Sequence, residues 1–235
     1  MTGSQPTRVG WVAADSVARM PTVIPPGSST LRRGVVQMVG IVTVSTGVGC
    51  TIHAELGVAP YDVVTTGMHE TLGVPIGLAA VLLPLVFAGA GLAIGGRKRI
   101  GLGTLMCTAF VGPILGVVLH LLPDVEALVP RLGLYGMGFA LVATGIVLVI
   151  VPELGAGPAE ILMLAVADRG YPLAPARTAI ELVCVAVGFA MGGQVGMGTL
   201  VFAVLIGPTL RRALTFAGYD EALAATRSDA ATPGV

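Results

Sequence analysis

Charged side chains are scarce in this chain, at 11% of 235 residues, where a soluble domain carries about 25%. A water-soluble globule must cover its surface with polar groups, and too few are present to do so. The charges that exist give a formal net of +0 but are unevenly placed, so the zero says nothing about partners. No basic face suggests nucleic acid. Cysteine is also sparse. Cys50, Cys107 and Cys184 all lie in apolar stretches, with no CxxC pair and no histidine at metal-ligand spacing. That argues against a zinc site or a disulfide framework and leaves them as small packing residues. The GxxxxGK[ST], GxSxG and HExxH patterns are missing, so nothing points to a nucleotide, a nucleophile elbow or a metalloprotease. The expectation is a protein that is not an enzyme and holds no metal or cofactor.

Apolar residues fill the space that charge vacates. They make up 54% of the chain, and the mean hydropathy is +0.91. Lipid is the solvent that suits this balance. The 34 glycines suit it too, since small residues let membrane helices approach closely. A spanning helix needs about 20 mostly apolar residues. Six stretches qualify: about Gly34–Ala54, Val74–Gly95, Ile100–Leu122, Leu132–Val151, Pro172–Met191 and Val195–Leu214. Backbone groups in hydrocarbon must be satisfied within the segment, so each reads as a helix. The expected layout is a mobile tail over 1–33, a membrane unit over 34–122, an external loop over 123–131, a second unit over 132–214 and a tail over 215–235.

Basic residues orient the spans. Arg32 and Arg33 precede the first, Arg97, Lys98 and Arg99 join the second and third, Arg169 follows the fourth, and Arg211 and Arg212 end the sixth. With six spans and both termini cytoplasmic, all of these fall inside, and Arg131 alone falls outside.

The chain also repeats itself. GIVTVSTG (Gly40–Gly47) recurs as GFALVATG (Gly138–Gly145), and ELGVAPYD (Glu55–Asp62) as ELGAGPAE (Glu153–Glu160), both 98 residues on. GLAIGG (Gly91–Gly96) matches GFAMGG (Gly188–Gly193), GLGTL (Gly101–Leu105) matches GMGTL (Gly196–Leu200), and Gly112–Pro113 matches Gly207–Pro208. The matches fall at glycine and proline, which fix backbone geometry, and they keep their order. This is a duplication. Three spans per copy put the copies in opposite orientation. The expected fold is therefore all-α membrane: two inverted three-helix repeats, each with a short extra helix after LGxxP, as in many secondary transporters.

At these residues the chain resembles the YczE/YyaS/YitT-type group of bacterial integral membrane proteins, in particular its YczE-like branch. The features that carry the resemblance are LGxxP with an acid two residues on (Leu56–Asp62), then GxGTL (Gly101–Leu105), then Gly112–Pro113. The resemblance covers about Gly34 to Leu214. It implies a multi-pass protein of the bacterial cytoplasmic membrane and, for some members, a link to the production of peptide natural products. It brings no catalytic residues.

Candidate site residues follow from the repeat. Pro60 and Pro158 suit the first position of a helix. Asp62 and Glu160 would then lie in the first turn, where a carboxylate is favoured by the helix dipole. Either they stabilise interfacial helix starts, or two half-helices line a central cavity and their acids hold a cation, a proton or an amine; Glu55 and Glu153 lie close by in sequence. Arg177 and Glu181, four residues apart on one face of the fifth span, form either a structural pair or a functional one. Their first-copy counterparts are Ala80 and Pro84. Thr104 and Thr199 occupy equivalent places, and their hydroxyls either bond back to the helix or line the axis. His69 lies seven residues after Asp62, as a solvated interfacial histidine or a proton relay.

Two functions fit. One is a small-solute transporter with a small-molecule or ion substrate bound between the units. The other is an accessory membrane protein that supports biosynthesis or export of a peptide product. The lipid bilayer is the surrounding partner in both, and a homodimer is compatible with either.

Overall fold

A computed structural model describes residues 28–94, 101–123, 125–155, 157–167, 169–170 and 173–217. Some side chains in the sixth and seventh helices, Glu160 among them, fall outside that description. So do the tails at 1–27 and 218–235 and the Arg97–Arg99 cluster. The described residues form eight helices: α1 (Thr30–Ala54), α2 (Pro60–Leu72), α3 (Ile76–Ala93), α4 (Leu102–Leu121), α5 (Leu128–Ile150), α6 (Pro158–Ala167), α7 (Leu173–Ala190) and α8 (Met197–Phe216). Five of them, α1, α3, α4, α5 and α8, are long and apolar enough to cross a membrane. α7 has 18 residues, about 27 Å at helical rise. The chain is an all-α, multi-pass membrane protein.

Three expected boundaries shift. α1 starts at Thr30, not Gly34, because Ser29 caps it: the Ser29 hydroxyl accepts from the Arg32 N–H at 3.4 Å. Arg32 and Arg33 are therefore helical. α5 starts at Leu128, inside the expected loop, with Pro130 in its first turn, where a missing N–H costs nothing. α8 runs on to Phe216. α4 and α8 continue as helices through Pro113 and Pro208, and α3 does so through Pro84.

Large apolar side chains point outward and small residues inward. Leu85, Val86, Leu105, Leu182, Leu200 and Val204 are exposed, while glycines line the helix contacts. This is the arrangement expected when lipid surrounds the bundle and close backbone approach holds it together. The longest contact runs between α1 and α5. A Cβ on Gly47 would lie 2.7 Å from the Gly138 carbonyl oxygen, one on Gly138 would lie 2.8 Å from the Gly47 oxygen, and one on Gly40 would lie 2.9 Å from Leu148. The two helices are therefore antiparallel and touch backbone to backbone.

Contacts between the two halves come in equivalent pairs. α2 packs on α7, and α6 packs on α3. A Cβ on Gly188 would meet Val63, and one on Gly91 would meet Ile161; Val63 and Ile161 are 98 residues apart. At the chain turns, the Gly198 N–H donates to the Leu56 carbonyl (2.7 Å) and the Gly103 N–H donates to the Leu154 carbonyl (2.8 Å). Each L-G turn thus caps the GxGTL helix start of the other half. These turns need unusual backbone: Glu55 and Glu153 have φ of 49° and 52°, and Gly57 and Gly155 have φ of 105° and 132°. A Cβ on Gly57 would lie 2.6 Å from the Gly196 nitrogen, and one on Gly155 would lie 2.7 Å from the Gly101 Cα.

Candidate functional site

α2 begins with Pro60 at its first position, and the Asp62 and Val63 N–H groups turn back to the Ala59 carbonyl (2.8 and 3.1 Å). Asp62 therefore sits in the first turn. At 13 residues, α2 covers about 20 Å, too short to cross a bilayer, and it is held against α7 and α3. Its carboxyl lines a cavity of about 160 Å³, together with Tyr61, Thr65, Phe87, Leu115 and Pro158. Pro158 opens α6, so both halves of the chain contribute to the wall. Among the described residues Asp62 and Tyr61 are the only titratable side chains in the lining. Among the described residues no hydrogen-bond partner meets the Asp62 carboxyl, and burial raises its pKa to about 7.

Two features of the wall follow from local sequence. Tyr61 and Phe87 meet edge to face, ring centroids 5.5 Å apart. Ala80 and Pro84 both line the cavity, and Pro84 has no N–H to give to the Ala80 carbonyl one turn earlier.

The other expected residues are placed elsewhere. Pro60 is buried beneath α2. Glu160 is the third residue of α6, and its side chain lies outside the described residues. Arg177 and Glu181 form an ion pair at 2.8 Å. They occupy the positions that Ala80 and Pro84 hold in the first half. The two halves thus differ where the first is open: small apolar residues there, a salt-bridged pair here. Thr104 and Thr199 are not in the cavity lining. They are buried at the two turn contacts, where their hydroxyls accept from the Gly101 and Gly196 N–H groups (3.2 and 3.4 Å). The helix start, left short of acceptors by a glycine cap, accounts for that role.

His69 and Asp62 are not brought together. They are about 10 Å apart along the helix axis, and His69 lines a different cavity. That space, of about 640 Å³, lies between α3 and α4 and is edged by His69, His120, Gly77, Gly112 and Gly116. Each histidine Nδ1 faces a backbone carbonyl, Val74 for His69 (2.9 Å) and Gly116 for His120 (2.7 Å). A carbonyl only accepts, so Nδ1 carries the proton in both rings. Cys50, Cys107 and Cys184 are free thiols.

Three residues escaped the sequence reading. Arg131 donates to the Ala54 and Glu55 carbonyls (2.7 and 2.9 Å) and pairs with the Glu55 carboxylate at 3.1 Å. It thereby ties the start of α5 to the end of α1. Gln37 donates to the Gly103 carbonyl at 3.0 Å, and the Tyr135 hydroxyl donates to the Gly198 carbonyl. The 98-residue offset places Gln37 on Tyr135 and Arg33 on Arg131, and that was the available signal. Arg33 behaves differently from its counterpart: its Nε is buried without a hydrogen-bond partner.

The profile of a family of unknown function, DUF6198, matches residues 31–214. The chain belongs to that family. It is similar to the uncharacterised membrane protein YczE of Bacillus subtilis (25% identical, over 74% of this chain and 82% of the relative). It is also similar to YyaS of the same organism (26%, 73% and 87%). A third relative is an uncharacterised protein of Haemophilus influenzae (29%, 70% and 75%). No solved structure gives a significant match. The match begins at Leu31 and ends at Leu214, so it takes in all eight helices but for their outermost ends.

Proposed function

We propose that the chain is a small-solute transporter of the cell membrane, with its substrate bound between two inverted repeats of three spans each, α7 being the sixth span. The observation that carries this reading is the cavity shared by the two halves, in which the Asp62 carboxyl meets no hydrogen-bond partner among the described residues. An ionisable group buried among apolar side chains is costly, and within a membrane protein it is a functional-site candidate by default. The reciprocal contacts support the repeat: α2 on α7 mirrors α6 on α3, and the two L-G turns cap each other's GxGTL helix. In this arrangement α2 and α6 are half-helices from opposite faces, and both termini lie in the cytoplasm.

One asymmetry gives the cycle a mechanical reading. Arg131 clasps Glu55 across the ends of α5 and α1, while among the described residues the equivalents Arg33 and Glu153 form no ion pair and the Arg33 Nε is buried without a hydrogen-bond partner. In a transporter built of inverted repeats, exchanging the conformations of the two repeats turns one face's access into the other's. The present conformation is then closed at the Glu55 face, and in the opposite one Arg33 reaches Glu153. The test is flux into proteoliposomes over a panel of small solutes. Asp62→Asn is expected to abolish an established flux while the protein still reconstitutes. An unchanged flux in that variant rules the mechanism out.

A further inference from the structure

From the wall of the Asp62 cavity we infer the substrate class: a small organic ammonium ion, held by the Asp62 carboxylate against the Tyr61 and Phe87 rings. This rests on the reading of the cavity as a binding site. Size comes first. An apolar cavity of about 150 Å³ accommodates benzene, so about 160 Å³ suits a compact molecule such as tetramethylammonium or a short alkylamine. Charge comes second. Among the described residues the lining holds one carboxyl and no basic side chain, so an anionic solute would meet repulsion and no counter-charge. Surroundings come third. Calcium and magnesium take six or more oxygen ligands, more than the Asp62 carboxylate, the Thr65 hydroxyl and the Ala80 carbonyl supply.

The aromatic pair decides between a bare cation and an organic one. Tyr61 and Phe87 meet at 89°, so the edge of one ring abuts the face of the other. Ring faces attract alkylammonium groups, whose diffuse charge is easily stripped of water. The Asp62 carboxylate supplies the opposite charge. The Ala80 carbonyl, one partner short because of Pro84, and the Thr65 oxygen, whose proton is turned to the Tyr61 carbonyl (3.4 Å), are acceptors for any N–H the ligand carries. In the second half of the chain the equivalents of Ala80, Pro84 and Phe87 are Arg177, Glu181 and Cys184. That half lacks the ring and carries a cation of its own, so the site is single.

Calorimetric titration of the full chain in lipid nanodiscs tests this without any need for flux. Tetramethylammonium is expected to bind saturably, and the neutral isostere neopentane to bind at least tenfold more weakly. Phe87→Leu keeps the apolar volume and removes the ring; it should weaken tetramethylammonium about two- to thirtyfold, the range set by cation–π energies. Asp62→Asn should weaken it at least tenfold. Phe139→Leu, which breaks the other edge-to-face pair, with Phe202, should leave affinity unchanged. No saturable binding by the parent protein overturns the inference, as does equal binding in Phe87→Leu and Phe139→Leu if Asp62→Asn fails to fold. If ammonium binds but no solute is ever carried, the transport reading falls and the site stands. If an anion or neutral solute is carried and ammonium neither binds nor competes, the site falls and the transport reading stands.

Discussion

At the scale of single residues, the same chemical group has different weight at different depths. The Arg131–Glu55 ion pair has a largely exposed acid, at 66% side-chain accessibility, and an exposed pair of this kind contributes under about 1 kcal/mol. The guanidinium's hydrogen bonds to the Ala54 and Glu55 carbonyls are different, since they satisfy groups at the end of α1 that have no helical partner. Glu55→Gln should therefore lower the thermal midpoint very little, and Arg131→Gln should remove about 1–3 kcal/mol, both read by thermal unfolding in detergent. Asp62 is governed by burial. Its pKa of about 7 lies above the usual carboxylate value, so the neutral form is populated at acidic pH. Cation binding needs the charged form. Affinity for an ammonium ion should rise as pH climbs through about 7 and fall below it, and a pH-independent affinity between 5.5 and 8.5 would contradict this. The acids and prolines of the ELGxxP segments were legible because both copies carry them. Gln37 and Tyr135 do the same work with different chemistry, one amide and one phenol, so similarity by residue type passed over them.

Among elements, packing is decided by what is missing from glycine. Gly47 and Gly138 let α1 and α5 touch backbones; a side chain at either must push the helices apart or unwind one. Overpacking a well-filled contact costs about 1–3 kcal/mol, and a Leu at this seam belongs at the upper end. Gly47→Leu should reduce the yield of monodisperse protein on size-exclusion chromatography, whereas Gly136→Leu, with nothing within 4 Å of its Cβ, should not. Gly57→Ala should behave like Gly47→Leu, since it combines a close approach with a φ of 105°. The spans themselves could be read from hydropathy, because length and apolarity are local. Their ends could not. Ser29 moves the start of α1 by capping it, and Pro130 moves the start of α5 by fitting its first turn. Neither alters the hydrophobic run that sequence reading measures. Thr104 and Thr199 were ambiguous for a related reason: a hydroxyl at a helix start serves the backbone or a ligand equally well, and only the L-G turns from the opposite half place them.

For the molecule as a whole, the two-fold pattern of contacts makes a prediction about motion. In a background with Cys50, Cys107 and Cys184 replaced by alanine, a bifunctional thiol reagent about as long as the ion pair it replaces should join Glu55→Cys to Arg131→Cys in the resting protein more readily than Arg33→Cys to Glu153→Cys. A substrate or inhibitor that favours the opposite state should reverse the two yields, as followed by gel mobility. Equal yields under every condition would mean the ion-pair asymmetry has no part in a cycle. The pairing of equivalent segments in the two halves was legible from the recurring glycines and prolines. The Asp62 cavity was not, because it arises where the copies diverge: Ala80 and Pro84 against Arg177 and Glu181, Phe87 against Cys184.

The packing of each short helix on the other half also governs how the protein is made. Thr71 at the end of α2 donates to the Met191 carbonyl, 120 residues further along the chain, and Val63 is covered by Gly188. When α2 leaves the ribosome, the helix that will cover it has not been synthesised. The first half must wait in the bilayer with its short helix unsheltered until the second arrives. Each half is thus the other's missing lid, and a break in the chain between Leu122 and Leu128 should still yield a working protein when both pieces are made together, while either piece alone should be degraded.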